Sequence, residues 1–370
     1  MKFTVSREAL LRPLQLLNGV VERRQTLPVL SNVLVVADPQ GLSLTGTDLE
    51  VEILSHLSID GAVEVPGATT VPAKKLFDIC KSLPDQSQIE FSLQDQKVII
   101  RSGRSRFSLS TLPAAEFPKV EESQQDLSFE LTQKEFKRLL DRSSFAMAQN
   151  DVRYYLNGLL LELSPGMLRS VATDGHRLAT CSLPIDHGAT SVVRSIVPHK
   201  GIVGLGRLFD DSDTPVQVVL GSNHIRVKTG DYIFTSKLVD GKFPDYERVI
   251  PRNGNKVVVA DRQELREVLH RASILSNEKY RGVRLCLTDG NLEVTANNPT
   301  EQEEAEENIS VNYQGDSLEI GFNVTYVLDV LDVLNNEQIK ITASDANSSA
   351  LIEEFGTDDD SLYVVMPMRL

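Results

Sequence analysis

Landmark residues recur in this chain at one fixed spacing, and this repetition constrains its fold more than any other feature. Three short segments are each repeated 126 residues later: Thr47-Asp48 at 173–174, Val71-Pro72 at 197–198 and Phe117-Pro118 at 243–244. A weaker copy of the first segment, Asn297-Asn298, follows its second copy after 124 residues. A period of about 125 residues is too long for a solenoid unit and matches a whole domain. The spacing predicts three tandem domains of one fold, with boundaries at 1–125, 126–254 and 255–370.

Each copy shows the same order of elements, a strand, a helix and further strands, given twice. The starts of the first helices carry cap signals: Ser6, the capping box 132–135 and its Asp version 261–264. Segments 76–83 and 324–331 have the apolar spacing of a second helix, and Pro165-Gly166 between two apolar runs indicates a hairpin. Pro13 is expected to kink or shorten the first helix. The pattern predicts an α+β fold, three tandem repeats that each pack two helices on antiparallel sheet.

Charge is distributed unevenly along the chain. The formal net charge is -14, which argues weakly against nucleic acid as a partner. The predicted helices are nevertheless basic: Arg7, Arg12, Lys134, Lys137, Arg138, Arg142, Arg262, Arg266 and Arg271. If the domains form an arc with the helices inside, the inner wall is positive and can hold phosphates without a basic net charge. For any one helix, the alternative is a charged face that is only solvated.

The residues predict no catalytic centre, no cofactor and no metal site. Asp174-Gly175-His176-Arg177 is the most enzyme-like stretch, because a histidine near an aspartate can act as a base. No serine or cysteine in a nucleophile context accompanies it, and a turn after a strand explains Asp174-Gly175 equally well. The six histidines lack metal-ligand spacing. A hydrolase that uses Asp174 and His176 is therefore the least favoured function.

Cysteine usage and the chain start indicate the compartment. Cys80, Cys181 and Cys286 are far apart and odd in number, so we predict neither a disulfide framework nor a zinc site. Segment 1–5 lacks the apolar core of a signal peptide, and no apolar run reaches the ~18 residues of a membrane span. We therefore expect a cytoplasmic protein.

Several blocks of residues together carry a family resemblance. They are 44–50 (LTGTDLE), 101–107 (RSGRSRF), 151–158 (DVRYYLNG), 172–178 (ATDGHRL), 234–240 with 243–246 (FPDY), 274–279 (ILSNEK) and 364–370 (VVMPMRL). Over essentially its whole length the sequence resembles the bacterial sliding clamp, the β subunit of the DNA polymerase III holoenzyme. This resemblance implies the DNA-clamp fold and a non-catalytic processivity factor without a cofactor. It also implies a head-to-tail homodimeric ring that encircles duplex DNA and slides on it.

The resemblance further implies partners and three sets of functional residues. The partners are duplex DNA, the clamp loader, the catalytic subunit of the replicative polymerase, and other polymerases and repair proteins that carry a clamp-binding peptide. The DNA-binding positions are Arg24, Asn150, Tyr154, His199 and Lys200. The peptide-binding pocket comprises Arg153, Tyr155, Leu156, Thr173, Gly175, His176, Arg177, Leu178, Pro244, Arg248, Val249, Ser349, Val364, Val365, Met366, Pro367, Met368 and Arg369. At the dimer interface, Lys75, Arg104, Arg106 and Phe107 of one subunit meet Ile274, Leu275, Glu303, Glu304, Glu306 and Glu307 of the other.

Simpler interpretations stay open for several of these residues. Arg24 can be a solvated turn residue, and the glutamates of 303–307 can belong to a solvated loop. Segment 366–368 (Met-Pro-Met) can be a plain terminal edge strand that is ended by its proline. For the whole chain, the alternative function is a protein-binding repeat scaffold that does not encircle DNA.

Overall fold

One order of elements occurs three times along the chain, namely strand, helix, three strands, strand, helix and three strands. The computed structural model describes residues 1–21, 27–58, 63–118 and 125–369. The first repeat contains β1 (Lys2–Ser6), α1 (Arg7–Val20), β2 (Asn32–Asp38), β3 (Gly41–Thr47), β4 (Val51–Leu57), β5 (Gly67–Pro72), α2 (Ala73–Ser82), β6 (Gln88–Gln94), β7 (Lys97–Ser102) and β8 (Ser105–Ser110). The second contains β9 (Gln125–Thr132), α3 (Gln133–Ser143), β10 (Gly158–Ser164), β11 (Met167–Thr173), β12 (Arg177–Pro184), β13 (Val193–Pro198), α4 (His199–Leu208), β14 (Pro215–Gly221), β15 (His224–Thr229) and β16 (Tyr232–Lys237). The third contains β17 (Lys256–Asp261), α5 (Arg262–Ile274), β18 (Gly282–Thr288), β19 (Asn291–Asn298), β20 (Glu303–Ser310), β21 (Leu318–Asn323), α6 (Val324–Val333), β22 (Gln338–Ala343), β23 (Ala350–Glu354) and β24 (Leu362–Val365).

The strands form antiparallel sheets of two sizes. Two sheets have four strands, in the orders β1-β6-β7-β8 and β20-β19-β18-β21. Two have eight strands, in the orders β5-β2-β3-β4-β16-β15-β14-β9 and β13-β10-β11-β12-β24-β23-β22-β17. Each larger sheet consists of four strands from each of two consecutive repeats, joined where β4 pairs with β16 or β12 with β24. The predicted α+β fold of three repeats is confirmed.

The chain divides into two compact units. One consists of residues 1–137 and 200–238, and the other of 138–199 and 239–370. Each unit contains one four-stranded and one eight-stranded sheet. In the first unit α1 packs on α2 and β3, and in the second unit α5 packs on α6 and β20. The apolar helix faces and the inner faces of the sheets form the cores.

The predicted helix starts are confirmed by their hydrogen bonds. The backbone N–H of Glu135 donates to Thr132 Oγ1 at 3.2 Å, and the N–H of Thr132 donates to the Glu135 carboxylate at 2.8 Å. This reciprocal pair is a capping box at the start of α3. Ser6 caps α1 by accepting from the N–H of Ala9, and the carboxylate of Asp261 caps α5 in the same way.

Pro13 does not shorten its helix. α1 runs for 14 residues through this proline and is the longest helix of the described part of the chain. Proline inside a helix costs about 3 kcal/mol, because it cannot donate a backbone hydrogen bond. Leu10, Leu14 and Leu17 of α1 are fully buried, and each contributes about 1.5–3 kcal/mol. Their packing outweighs the penalty, so the expectation of a shorter helix is wrong.

The three cysteines differ in burial. Cys80 and Cys181 are buried and Cys286 is half-buried, and all three are free thiols. Burial raises the pKa of the Cys80 thiol to about 12. None of the described helices combines the length and the apolar character that crossing a membrane requires.

Candidate functional site

The predicted pocket residues meet because β12 pairs with β24. The register of this pair aligns Arg177 with Val365 and Leu178 with Val364. β24 lies between β12 and β23, so it is an internal strand of the eight-stranded sheet. Residues 366–368 follow β24 and lie outside any strand, so their interpretation as a plain terminal edge strand is wrong. Ser349 directly precedes β23, on the other side of β24.

An apolar cluster forms the floor of this site. Its buried members include Leu156, Leu178, Val364, Phe243 and Tyr246, and Tyr155 packs against them. Phe243 and Tyr246 belong to residues 243–250, called here the linker segment, which connects β16 to β17. The linker segment also carries the predicted residues Pro244, Arg248 and Val249, and all three are exposed. Val249 is 47% exposed, which leaves an apolar side chain at the surface beside a buried apolar floor.

The chain after β24 is fixed at two points by backbone hydrogen bonds. The N–H of Met366 donates to the carbonyl of His176 at 2.9 Å, and the N–H of Met368 donates to the carbonyl of Gly321 at 2.8 Å. Pro367, between them, has no N–H to donate. Met366 is 44% exposed, while Met368 is half-buried. Residues 366–369, called here the C-terminal tail, thus present flexible thioether side chains that adapt to varied ligands.

The Thr-Asp signature of the repeats is a turn. The carboxylate of Asp174 accepts from the N–H groups of His176 (2.8 Å) and Arg177 (3.0 Å). Thr173 Oγ1 accepts from Gly175 N–H at 3.1 Å and donates to the carbonyl of Arg177 at 2.6 Å. The left-handed φ of Gly175, 90°, is required for this turn and suits glycine. Asp174 therefore stabilises the turn that follows the strand.

Arg177 is a half-buried structural cation of the site. Its guanidinium forms ion pairs with Asp174, at 3.2 Å, and with Asp329 of α6. It donates to the carbonyl of Phe145 at 2.8 Å and lies over the rings of Phe145 and Tyr326, 5.2 and 4.7 Å from their centroids. Tyr326 also stacks with His176, the next predicted pocket residue. Tyr326 and Asp329 were not predicted as site residues. The one local signal that relates them is their spacing of three residues, which puts both on one face of α6.

Arg153 holds the pocket turn to a neighbouring loop. Its side chain donates to the carboxylate of Asp151 at 3.0 and 2.8 Å and to the carbonyl of Asp174 at 3.1 Å. These hydrogen bonds hold the pKa of Asp151 low, at about 2. A Cβ on Gly175 would lie 3.1 Å from the Arg153 guanidinium, so with any other residue this cation would have to shift by a few tenths of an ångström.

Three of the predicted DNA-binding residues lie around this loop. Asn150 has a left-handed φ of 57°, and Tyr154 is 57% exposed. Asn157 braces the loop through two hydrogen bonds with the backbone of Asp151, and its own carbonyl accepts from His199 N–H at 3.0 Å. The structure thus brings Asn150, Tyr154 and His199 to one region.

The other two DNA-binding predictions have different surroundings. Lys200 belongs to the other compact unit, where its ammonium group is paired with the buried carboxylate of Asp48. Arg24 lies outside the residues that the structure describes.

Most of the basic helix residues lie beside carboxylates. Six of the nine form ion pairs: Arg7 with Asp85, Lys137 with Asp211, Arg138 with Asp359, Arg142 with Glu354, Arg266 with Asp332 and Arg271 with Glu307. Paired cations attract phosphate less than free ones. The helices therefore offer a weaker positive field than their sequences alone predict.

Most of the predicted interface residues are exposed. Arg104 and Arg106 are exposed and Phe107 is half-buried, in and beside β8, while Lys75 is exposed on α2. Ile274, at the end of α5, is 69% exposed, and Leu275 is half-buried. Along β20 the side chains alternate between half-buried (Glu303, Glu307) and exposed (Glu304, Glu306). These glutamates belong to a strand, so the solvated-loop interpretation is wrong.

Known proteins are similar to the chain over its whole length. Three family models align in succession: the N-terminal domain of the DNA polymerase III beta subunit at residues 1–121, its central domain at 130–245 and its C-terminal domain at 247–369. The beta sliding clamps of Pseudomonas aeruginosa and Escherichia coli K12 are 61% and 53% identical to the chain, and each alignment covers 100% of both sequences. Similar solved structures include a P. aeruginosa sliding clamp bound to griselimycin, with a TM-score of 0.97, 61% identity and 100% coverage of both chains. A C. crescentus beta sliding clamp superposes with a TM-score of 0.93 at 38% identity, over 100% of this chain and 99% of that one.

Proposed function

Because the chain belongs to the family of DNA polymerase III β subunits, the bacterial sliding clamps, we propose that it is a DNA polymerase processivity factor. Two copies form a head-to-tail ring that encircles duplex DNA, slides on it and tethers polymerases. The protein contributes binding surfaces and no catalytic group. The observation that carries this proposal is how consecutive repeats join.

Each joint between repeats is made by one pair of edge strands. β4 pairs with β16, and β12 pairs with β24. By their place in the repeat, β20 is the equivalent of β4 and β12, and β8 is the equivalent of β16 and β24. Among the described residues, β20 pairs only with β19 and β8 only with β7. An unpaired strand edge is a template for another chain, so we propose that β20 of one copy pairs with β8 of the next.

The equivalence of the joints also gives the register of this contact. In the first joint Ser236 lies opposite Val51. Gly103 and Gly230 occupy the same turn position in the β7–β8 and β15–β16 hairpins, which makes Leu109 the equivalent of Ser236. Glu303 begins β20 as Val51 begins β4, so Leu109 is expected opposite Glu303 of the next copy. The same register sets the cation of Arg106 against the carboxylate of Glu306, which favours the pairing.

Cysteines at Ser108 and Glu304 are expected to cross-link two copies. The proposed register places these residues directly opposite each other, at the 4.5–5.5 Å Cα separation that a disulfide accepts. In a Cys286→Ser background, mild oxidation of the S108C/E304C protein should give a covalent dimer on a non-reducing gel. The control pairs S108C with E306C, which is displaced by two residues or about 7 Å along the strand. Equal cross-linking of both proteins would refute the register.

Weak phosphate contacts suit a ring that slides. We propose that Arg24, Asn150, Tyr154, His199 and Lys200 meet the DNA backbone, with Lys200 exchanging Asp48 for phosphate. A closed ring is held on DNA by topology, so few and weak contacts suffice. The ion pairs that occupy most helix cations support this arrangement, because they lower the salt-dependent affinity that would stop sliding.

The apolar floor and the C-terminal tail support a peptide-binding pocket. Apolar anchors with a few polar groups form a small hot spot, and methionines adapt to different ligands. We propose that this pocket takes the clamp-binding peptides of the replicative polymerase, the clamp loader, and other polymerases and repair proteins. We further propose clamp domains at 1–125, 126–254 and 255–370, and a cytoplasmic location.

Retention on circular DNA tests the proposed function. The protein is loaded by a bacterial clamp loader with ATP onto nicked circular duplex, and the complex is then filtered at high salt. It should stay on the circle and be lost when a nuclease linearises the DNA, since topology rather than affinity holds it. Equal loss from circular and linear DNA would contradict the proposed ring and favour a protein-binding scaffold that does not encircle DNA.

A further inference from the structure

Glu162 is a buried carboxylate on an otherwise apolar strand. It is 5% exposed, and its neighbours in β10 are leucines, all of them buried. A buried carboxylate is costly unless cations and hydrogen bonds compensate it. The side chain of Arg194, from β13, donates to Glu162 Oε2 at 2.6 Å. The hydroxyl of Tyr246 donates to Glu162 Oε1 at 2.7 Å.

The Tyr246 hydroxyl is bound from both sides. While it donates to Glu162, it accepts from Arg169 Nη1 at 3.1 Å. Arg169 also lies 3.8 Å from carboxylate oxygens of Glu162 and of Glu247. The burial that surrounds this network raises the pKa of Tyr246 to about 12. The hydroxyl therefore stays protonated and remains a hydrogen-bond donor under ordinary conditions.

The linker segment carries this tyrosine and the pocket residues together. Residues 246–249 form one 3-10 turn, in which the Tyr246 ring points into the apolar cluster. Arg248 and Val249 are the last two residues of the same turn, and both are exposed. Because residues within one tight turn move together, a bond that fixes Tyr246 also fixes the direction of the Arg248 and Val249 side chains.

We propose that Glu162 and Tyr246 anchor the linker segment in the position where Arg248 and Val249 form one wall of the peptide pocket. Both are positioning residues, since they act through the linker segment rather than through the ligand. The anchor lies on β10 and therefore couples the pocket wall to the rigid sheet of the second repeat. This inference rests on the proposed function of the pocket.

The Tyr246→Phe substitution tests the anchor. It keeps the ring in the apolar cluster and removes one hydrogen bond. We expect a fluorescent peptide with a clamp-binding motif to bind about two- to tenfold more weakly, measured by anisotropy. Tyr313→Phe is the matched control, because the Tyr313 hydroxyl donates to the carbonyl of Asp316 at 2.5 Å within the third repeat. Its affinity should equal that of the unsubstituted protein.

Hydrogen exchange of the free protein tests the anchor independently of peptide binding. Amides of residues 246–250 should exchange faster in Tyr246→Phe and at the unsubstituted rate in Tyr313→Phe. Glu162→Gln should speed the same amides, and the double variant with Tyr246→Phe should add little, because both act through one bond. Unchanged exchange in Tyr246→Phe would overturn the anchor. If the unsubstituted protein bound no peptide, the proposed pocket would fail, while the exchange rates would still decide the anchor.

Discussion

Ending the chain after Val365 is expected to weaken peptide binding by at least about 100-fold while the protein stays folded. The truncation removes the C-terminal tail, whose Met366 and Met368 are proposed as anchors for the ligand. It also removes the two backbone hydrogen bonds to His176 and Gly321, which together contribute about 1–3 kcal/mol to folding. Peptide affinity, measured by anisotropy, should therefore fall strongly. The free energy of unfolding in urea should fall by only about 1–3 kcal/mol.

A slightly longer truncation is the control for this result. Ending the chain after Ser361 deletes β24 and leaves β12 and β23 without their shared neighbour. The lost strand includes Tyr363 and Val365, which are 0% exposed, and removing such side chains costs several kcal/mol each. This form should lose the cooperative unfolding of its unit, whereas the form that ends at Val365 should keep it. Tight peptide binding by the form that ends at Val365 would exclude the C-terminal tail from the pocket.

Local signals in the sequence predicted the repeat and its elements. The capping box at Thr132 and Glu135 and the Pro165-Gly166 hairpin depend on residues that are close in the chain, so their meaning survives without tertiary information. The repeated Thr-Asp pair likewise marks a turn, made by Asp174 in one copy and Asp48 in another. The α+β fold and its three repeats followed from these signals.

Long-range pairing could not be predicted in this way. Arg177 finds Asp329 and Tyr326 on a helix of the next repeat, and no periodicity relates the three residues. The pocket residues came from the family resemblance, and the reason they meet is the β12–β24 pairing. The full length of α1 through Pro13 could not be predicted because the burial of Leu14 and Leu17 around it depends on tertiary packing.

Replacing Arg142 by methionine is expected to lower the free energy of unfolding by about 3–5 kcal/mol, because Glu354 then stays buried without its cation. The two side chains are each 6% exposed and lie 2.9 Å apart, as an ion pair rather than a well-aligned hydrogen bond. Urea unfolding measures the change. Arg266→Met is the control, since the ion pair of Arg266 with Asp332 is 41% and 49% exposed and contributes at most about 1 kcal/mol.

The acid limit of stability should move with the same substitution. Arg142 also lies 3.6 Å from Asp359. Burial raises the pKa of Asp359, but hydrogen bonds from Ser361 and Arg138 outweigh it and leave the pKa below its usual value. Its contribution is therefore present above about pH 4 and is lost as the pH falls through the lower folded value. Without Arg142 the pKa shift of Asp359 should shrink, so acid unfolding should begin at higher pH.

The R142M/E354L double variant should regain most of the stability at neutral pH, because no unpaired charge remains. A double variant as unstable as R142M would show that packing, rather than the charge on Glu354, causes the loss.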